Sequence, residues 1–480
     1  MAAEHKFSIG LRLSDLNDYI APSQACTRPA DVPRGAPGAQ ATQLALAADG
    51  SVEEVGADGS RAALGAASVT LNDCLACSGC ITSAEGVLVA AQSASEFLSR
   101  AAAARSSGAV VVVSLSPHSL ASLAAYYDLP LLTTLRKLTT LLRMVGTDYV
   151  VDTSFALDMA LEETACEFVE RLGGSGGPLP LLVSECPGWV CYAEKTQPHA
   201  LPYMSAVKSG MQVMAAIVRS KHFPRPAGRE QAPIFHASIM PCFDKKLEAS
   251  RDDFARGEGG LREVDTVLAT NEVAEVLEKT APGVRFADLA DAPLDDGALP
   301  LLNYDAHAGV LFGAPHAAAG GYLEYALRRA VERVHGVRDA GELSFVPASA
   351  SAAKNADFCE ARASAAPAGA PKCACAYGFR NIQNVMRRLK QKTCAYQLVE
   401  VVACPQACLN GGGQMKPPEG VSRDKWVERV RARFAERAER SPAANEAAEA
   451  MRKLLGREAM RTVFHVREDK SAKNPLAIQW

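Results

Sequence analysis

The sequence predicts an α/β protein built on parallel sheets, with cysteines gathered at strand tips. Two observations carry this. Short apolar β-branched runs alternate with amphipathic helical stretches along most of the 480 residues, the pattern of strand–helix units whose helices cover a parallel sheet. Three of those runs end in a cysteine beside a proline, at Cys186-Pro187, Pro241-Cys242 and Cys404-Pro405. Open α/β sheets hold ligands beyond the carboxyl ends of their strands, so three such tips point to one shared object.

Length and composition narrow the class. A chain of this size exceeds one ordinary core, so two or three lobes are expected. The hydrophobic fraction of 48% is that of a globular protein, and a net charge of −3 argues against a nucleic-acid partner held by bulk charge. Apolar runs such as Ala109–Val113 are far too short to span a bilayer, so no membrane partner is expected. The start, MAAEHKFSIG, lacks an apolar core of the export type. A cytosolic, reducing compartment follows, where 14 cysteines in short-spaced groups mean metal or redox chemistry more often than disulfides.

Taken in order, residues 7–25 alternate apolar and polar positions, with Asp15 as a helix cap and Pro22 as its stop. Cys26 follows alone, before a Pro/Gly/Ala-rich insertion at 29–40. Cys74, Cys77 and Cys80 form a C-x2-C-x2-C run, the front of a ferredoxin signature, with Ile81, Thr82 and Ser83 following and Ala84 where the fourth cysteine of that signature would stand. Two-residue gaps let thiolates fold around one corner of a cubane, and Cys26 is the nearest upstream candidate for the fourth ligand. Zinc, which also takes four cysteines, is the competing metal. A helix over 95–105 leads to a buried strand at 109–115, and a second helix runs from Pro117 to Tyr127 with His118 as a loop or capping residue. Tyr149–Asp152 reads as a strand and Asp158–Leu172 as a helix carrying Cys166 as a core residue.

The strands Leu181–Val183 and Ile234–Ile239 run into Cys186 and Cys242, and Cys191 reads as packing. Thr266–Ala269, Glu272–Lys279, Gly309–Phe312 and Tyr322–Val334 continue the alternation. Residues 360–371 read as a low-complexity mobile loop, and Cys373 and Cys375 stay unassigned. Phe379–Lys392 is a basic amphipathic helix, and residues 422–456 are charged and helical. The stretch 400–418 closes the set. Its apolar run ends at Cys404, with Cys408 four residues on, where a helix would bring both to one face. Gly411, Gly412 and Gly413 then allow backbone to approach something bulky, with φ > 0 open to them. Cys186, Cys242, Cys404 and Cys408 make four thiolates, enough for a second cubane. Lys245 is either a solvated lysine or a positive charge beside an anionic cluster.

With these residues in place, the chain resembles the iron-only hydrogenase-like proteins of cytosolic iron–sulfur protein assembly, the nuclear architecture related or nuclear prelamin A recognition factor-like family. The resemblance runs from SDLNDYIAPSQAC through NDCLACSGCITSAE, SECPGW, MPCFDKKLEASR and YGFRNIQN to EVVACPQACLNGGGQ. It implies an iron-only-hydrogenase-like fold, with two parallel-sheet lobes around a buried cluster and a small N-terminal cluster-binding segment. The corresponding divisions are residues 1–100, 101–260, 261–420 and a helical region with a tail at 421–480. It implies two [4Fe-4S] clusters, one on Cys26, Cys74, Cys77 and Cys80 and the other on Cys186, Cys242, Cys404 and Cys408. It also implies a cytoplasmic adaptor, with the nucleus a further compartment, linking a P-loop NTPase scaffold to the targeting complex of a WD40 propeller protein. Ile478-Gln479-Trp480 resembles the short tails that dock on that complex, although Gln479 departs from their usual middle residue. True iron-only hydrogenases, the alternative along with a ferredoxin-like electron carrier, share Pro241, Cys242 and Lys245. They carry a proton-relay cysteine where this chain has Glu185 and a methionine where it has Val402, so the resemblance implies no hydrogenase activity.

Overall fold

A computed structural model describes residues 88–89, 91–256, 261–294, 300–314, 319–348 and 355–467, with the backbone of five short strands before residue 70. The chain divides into two compact units, Met1–Gly86 and Val87–Trp480. In the first, Gln43–Leu46, Val52–Val55 and Arg61–Ala63 form an antiparallel meander, and Leu11–Arg12 pairs with Ser68–Val69. The expected ligands Cys26, Cys74, Cys77 and Cys80 lie outside the described residues, as do Ile478, Gln479 and Trp480.

Two sheets organise the second unit. Its strands in chain order are β1 (Val110–Leu115), β2 (Tyr149–Asp152), β3 (Leu181–Val183), β4 (Ile234–Met240) and β5 (Thr266–Ala269). They continue with β6 (Leu343–Pro347), β7 (Phe358–Ala363), β8 (Cys373–Tyr377) and β9 (Leu398–Val402). The helices packed on them are α1 (Ala94–Ser106), α2 (Pro117–Tyr127), α3 (Leu131–Val145), α4 (Ser154–Leu172), α5 (Pro187–Thr196) and α6 (Gly210–Arg219). There follow α7 (Asp244–Ala249), α8 (Val273–Thr280), α9 (Tyr322–His335), α10 (Phe379–Lys390), α11 (Arg423–Phe434) and α12 (Glu446–Leu455). No helix among the described residues is long and apolar enough to cross a membrane.

The first sheet has the order β5-β4-β1-β2 and is parallel throughout. Its central strand shows why. Every residue of Val110–Leu115 is buried, as a strand covered on both faces requires. Val111, Val113 and Leu115 pack with Phe97, Leu135 and Leu142, while Val110 and Val112 face Phe155 and Ile217 on the other side. The second sheet has the order β6-β7-β8-β9-β3. Its β6/β7 and β7/β8 pairs are antiparallel, and β8/β9 and β9/β3 are parallel. Strand β3 therefore leaves the first sheet, whose neighbours precede and follow it in sequence, and pairs with Leu398–Glu400. That crossover sets the carboxyl end of β3 beside the carboxyl end of β9.

Two expectations need correction. Residues 360–363 are not loop but four of the six residues of β7, whose Phe358, Ala361 and Ala363 are buried; alanines there fit a close layer beneath α9. Cys166 does not sit in the core. Its sulfur lies at the edge of a cavity, 3.1 Å from an Arg333 guanidinium nitrogen.

Candidate metal centre

The four candidate cysteines among the described residues all follow strand ends. Cys186 is the N-cap of α5, with Pro187 in the first turn, a position where its missing N–H costs nothing. Ser184 Oγ accepts from the Cys186 amide at 3.0 Å and donates to the Val401 carbonyl at 2.5 Å, pinning the turn to β9. The Ala403 amide points at Cys186 Sγ from 3.4 Å, and the amides of Trp189 and Gly188 also face it. Cys242 lies between the end of β4 and the start of α7.

After β9 the chain turns at Cys404-Pro405 and enters a short 3-10 turn, Ala407–Asn410, that carries Cys408. This is not the helix that would set Cys404 and Cys408 on one face. Gln406 and Ala407 have φ of 57° and 62°, and two consecutive left-handed residues break a right-handed helix. The Asp357 carboxylate compensates by accepting the Gln406 amide at 2.7 Å. The three glycines also behave differently from expectation, since none of them has positive φ. What their backbone approaches is the tip of β4. Gly413 donates to the Pro241 carbonyl at 2.9 Å. A Cβ on Gly411 would lie 2.4 Å from that carbonyl oxygen, and one on Gly413 would lie 3.0 Å from Cys242 Cα. The glycines thus let the Cys408 loop close on Cys242.

The four sulfurs share one electrostatic environment. Burial pushes the Cys186 thiol up to about 11, with the Asp244 carboxylate adding to it. Burial also pushes Cys404 up to about 12, followed by the nearby Cys186 sulfur and Asp244, while the Gly412 amide pulls the other way. Cys242 and Cys408 are raised well above the ordinary thiol range by burial and by the neighbouring sulfurs. As bare thiols the four hold their protons at neutral pH. They become thiolates together only with positive charge among them, which is what a metal supplies. An all-sulfur donor set suits iron–sulfur clusters or zinc. Among the described residues, no group of three or more His, Cys, Asp or Glu side chains is arranged around a single ion.

Beside the sulfurs, Lys245 is neither solvated nor free. Its side chain is 2% exposed and its ammonium lies 3.0 Å from Glu185 Oε1 and 2.9 Å from Glu248 Oε2. Burial works against that charge, and Glu185 and then Glu248 outweigh it, holding the ammonium well above the usual lysine range. Burial opposes the Glu185 carboxylate too. Lys245, the Tyr322 hydroxyl at 2.8 Å and the Gly210 amide at 3.1 Å outweigh it and hold its pKa below the usual carboxylate range. Glu185, Lys245, Cys408, Met240 and His118 line a cavity of about 20 Å³. His118 sits in the first turn of α2, its ring stacked on Phe434 at 5.1 Å.

Tyr322 and Glu400 belong to this site and do not stand out in a sequence reading. Tyr322 donates its hydroxyl to Glu185 and its amide to Glu400 Oε1, at 3.1 Å. Glu400 is fully buried in the middle of β9, and burial raises its pKa to about 7. The available signal was the charge itself, set inside the apolar run Leu398–Val402.

Residues 109–412 match the family described as iron only hydrogenase large subunit, C-terminal domain. The chain is 40% identical over 489 residues to cytosolic iron-sulfur assembly component 3 of Bos taurus, covering 99% of both chains. It is 41% identical over 451 residues to Protein NAR1 of Arabidopsis thaliana, covering 89% of this chain and 88% of that protein. A solved structure of an [FeFe]-hydrogenase from Chlamydomonas reinhardtii superposes with a TM-score of 0.60 at 25% identity, over 74% of this chain and 94% of that one. The chain belongs to the iron-only hydrogenase-like family that includes cytosolic iron-sulfur assembly component 3 and Protein NAR1.

Proposed function

We propose that this protein is a cytosolic iron–sulfur cluster assembly factor that carries two [4Fe-4S] clusters and works as an adaptor, not as a hydrogenase. Animal relatives bear the names cytosolic iron-sulfur assembly component 3 and cytosolic Fe-S cluster assembly factor, and a plant relative that of Protein NAR1. The observation that carries the reading is the arrival of Cys186, Cys242, Cys404 and Cys408 from three strand ends in one electrostatic environment, beside a cavity lined by the ion-paired Glu185 and Lys245.

Those four cysteines would hold one [4Fe-4S] cluster, and Cys26, Cys74, Cys77 and Cys80 the other. Such a cluster supplies one-electron chemistry or is itself the cargo of assembly. The chain's own groups would then act around it. Amides of Ala403, Gly188 and Gly412 point at ligand sulfurs, and hydrogen bonds of that kind tune a cluster's potential. Lys245 contributes positive charge next to an anionic centre.

The same geometry disfavours hydrogen turnover. A proton relay must take up and release a proton near working pH. Glu185 is held as a carboxylate and Lys245 as an ammonium, each locked to the other. The adjoining space of about 20 Å³ is on the scale of a single water. As an adaptor the protein would receive clusters from a P-loop NTPase scaffold and engage a WD40 propeller complex, with Ile478-Gln479-Trp480 as the docking tail.

The test pairs two assays. Cells depleted of the protein should lose cluster occupancy in cytosolic iron–sulfur enzymes, and wild-type chain but not a Cys404→Ser, Cys408→Ser variant should restore it. The anaerobically purified protein with a strong reductant should evolve no hydrogen. Sustained hydrogen turnover with client occupancy unchanged on depletion would overturn the proposal.

A further inference from the structure

Outside the metal centre, a second set of cysteines is brought together by the strand register alone. Cys359 on β7 stands directly opposite Cys375 on β8 in an antiparallel ladder. The Tyr377 amide donates to the Asp357 carbonyl at 2.8 Å two residues away in that ladder. By the alternation of antiparallel pairing, Cys359 and Cys375 then form a hydrogen-bonded pair with Cα atoms about 5.5 Å apart. Disulfides span about 4.4–6.8 Å between Cα atoms, and directly opposed residues share a face. The Cys359 thiol donates to the Ala356 carbonyl at 3.3 Å, and each of the two sulfurs shifts the acidity of the other. Cys373, two residues along β8, faces Ala361 across the ladder and has no such partner.

We propose that Cys359 and Cys375 form a reversible dithiol–disulfide couple that is oxidised by hydroperoxides. Cys359 is the attacking sulfur. It is the more open of the two, at 8% exposure against 3%, and the hydrogen bond from Cys375 holds its pKa below the ordinary thiol range. A thiolate there attacks the terminal oxygen of ROOH. The O–O bond breaks, ROH leaves after taking up the Cys359 proton, and Cys359 becomes a sulfenic acid. The Cys375 sulfur then attacks the Cys359 sulfur. The S–O bond breaks, and the departing hydroxide leaves as water with the Cys375 proton. Two thiols and one ROOH thus give one disulfide, ROH and water, with two electrons passing from sulfur to peroxide. A cytosolic dithiol reverses the step by exchange.

The couple is placed to report to the metal centre. Asp357, two residues before Cys359, holds the amide of Gln406 in the Cys404–Cys408 turn. Cys375 lies opposite Glu400 on β9, the strand that ends at Cys404.

The experiment treats the anaerobically purified full-length protein with cumene hydroperoxide, quenches in acid, alkylates under denaturing conditions and maps peptides by mass spectrometry. The expected result is loss of two alkylatable thiols as a Cys359–Cys375 linked peptide, restored by dithiothreitol and retained in a Cys373→Ser variant. In Cys375→Ser, Cys359 should be trapped as a sulfenic acid that reacts with dimedone. If both thiols remain fully alkylated after peroxide, or Cys359 links to Cys373 instead, the proposal is wrong.

Discussion

Lys245 lies beside the candidate metal centre with two carboxylates on its ammonium and almost no solvent contact. Removing one member of a buried ion cluster leaves its partners as uncompensated charges, at a cost of about 3–5 kcal/mol. Lys245→Ala is therefore expected to destabilise the fold by about that amount in chemical unfolding monitored by circular dichroism, whereas a surface lysine such as Lys453, 72% exposed, should move it by under about 0.5 kcal/mol. Equal effects would contradict the buried-pair account. His236 gives a pH-dependent counterpart. Burial, helped by the Arg219 guanidinium, lowers its pKa from 6.5 to about 3. The unfolded chain takes up this proton below about 6.5 and the folded chain does not until about 3. Stability then falls as pH drops through that window, by up to about 1.4 kcal/mol per pH unit. His236→Gln should flatten that slope in urea unfolding curves run between pH 6.5 and 5, even if its stability at neutral pH is lower; an unchanged slope would assign the acid sensitivity elsewhere. At this scale the sequence picked out Cys186, Cys242, Cys404 and Cys408, whose sulfurs the fold brings near one another. It was silent about the ion pair between Lys245 and Glu185, because that pairing spans 60 positions and leaves no local pattern.

Among the elements, the loop from Ala403 to Gln414 decides whether Cys404 and Cys408 face Cys242. Gly411→Ala would force a Cβ to 2.4 Å from the Pro241 carbonyl oxygen, a backbone clash that no rotamer change relieves. The expected outcome is loss of about half of the bound iron from the anaerobically prepared protein, with helical circular dichroism preserved. Gly173→Ala, whose added Cβ meets nothing closer than 3.4 Å, should keep its iron. Matching losses in both variants would remove the loop from the argument. The strands feeding the site were legible as apolar runs, and β1, β2, β3, β4, β5 and β9 fall where those runs lie. Their sheet membership was not. Three residues, Leu181–Val183, carry no record of which neighbour they pair with, yet the pairing with β9 is what brings Cys186 to Ala403. Strands β7 and β8 escaped notice because FCEARA and CACAY are rich in alanine and poor in the β-branched residues that mark strands. The α3 helix, LLTTLRKLTTLLRMV, escaped for the opposite reason, since its leucine and threonine runs suit either structure.

At the scale of the whole molecule, a hydrogenase-like frame carries the ion-paired Glu185, Lys245 and Glu248 beside the candidate metal centre. The family membership explains the frame. On the proposed reading, the mutual ion pairing of Glu185 and Lys245 would leave neither free to relay a proton. If the tail docks as proposed, deleting Trp480 should weaken recovery of the propeller complex from extract while leaving the iron content unchanged, and equal recovery would exclude that role. Iron counting addresses the central claim most directly. The anaerobically purified full-length protein should carry about eight irons and as many sulfides, and the Cys404→Ser, Cys408→Ser variant about four of each. The variant should keep an EPR signal from the remaining cluster on reduction. An unchanged iron count in that variant, or zinc in place of iron in the parent protein, would contradict the account.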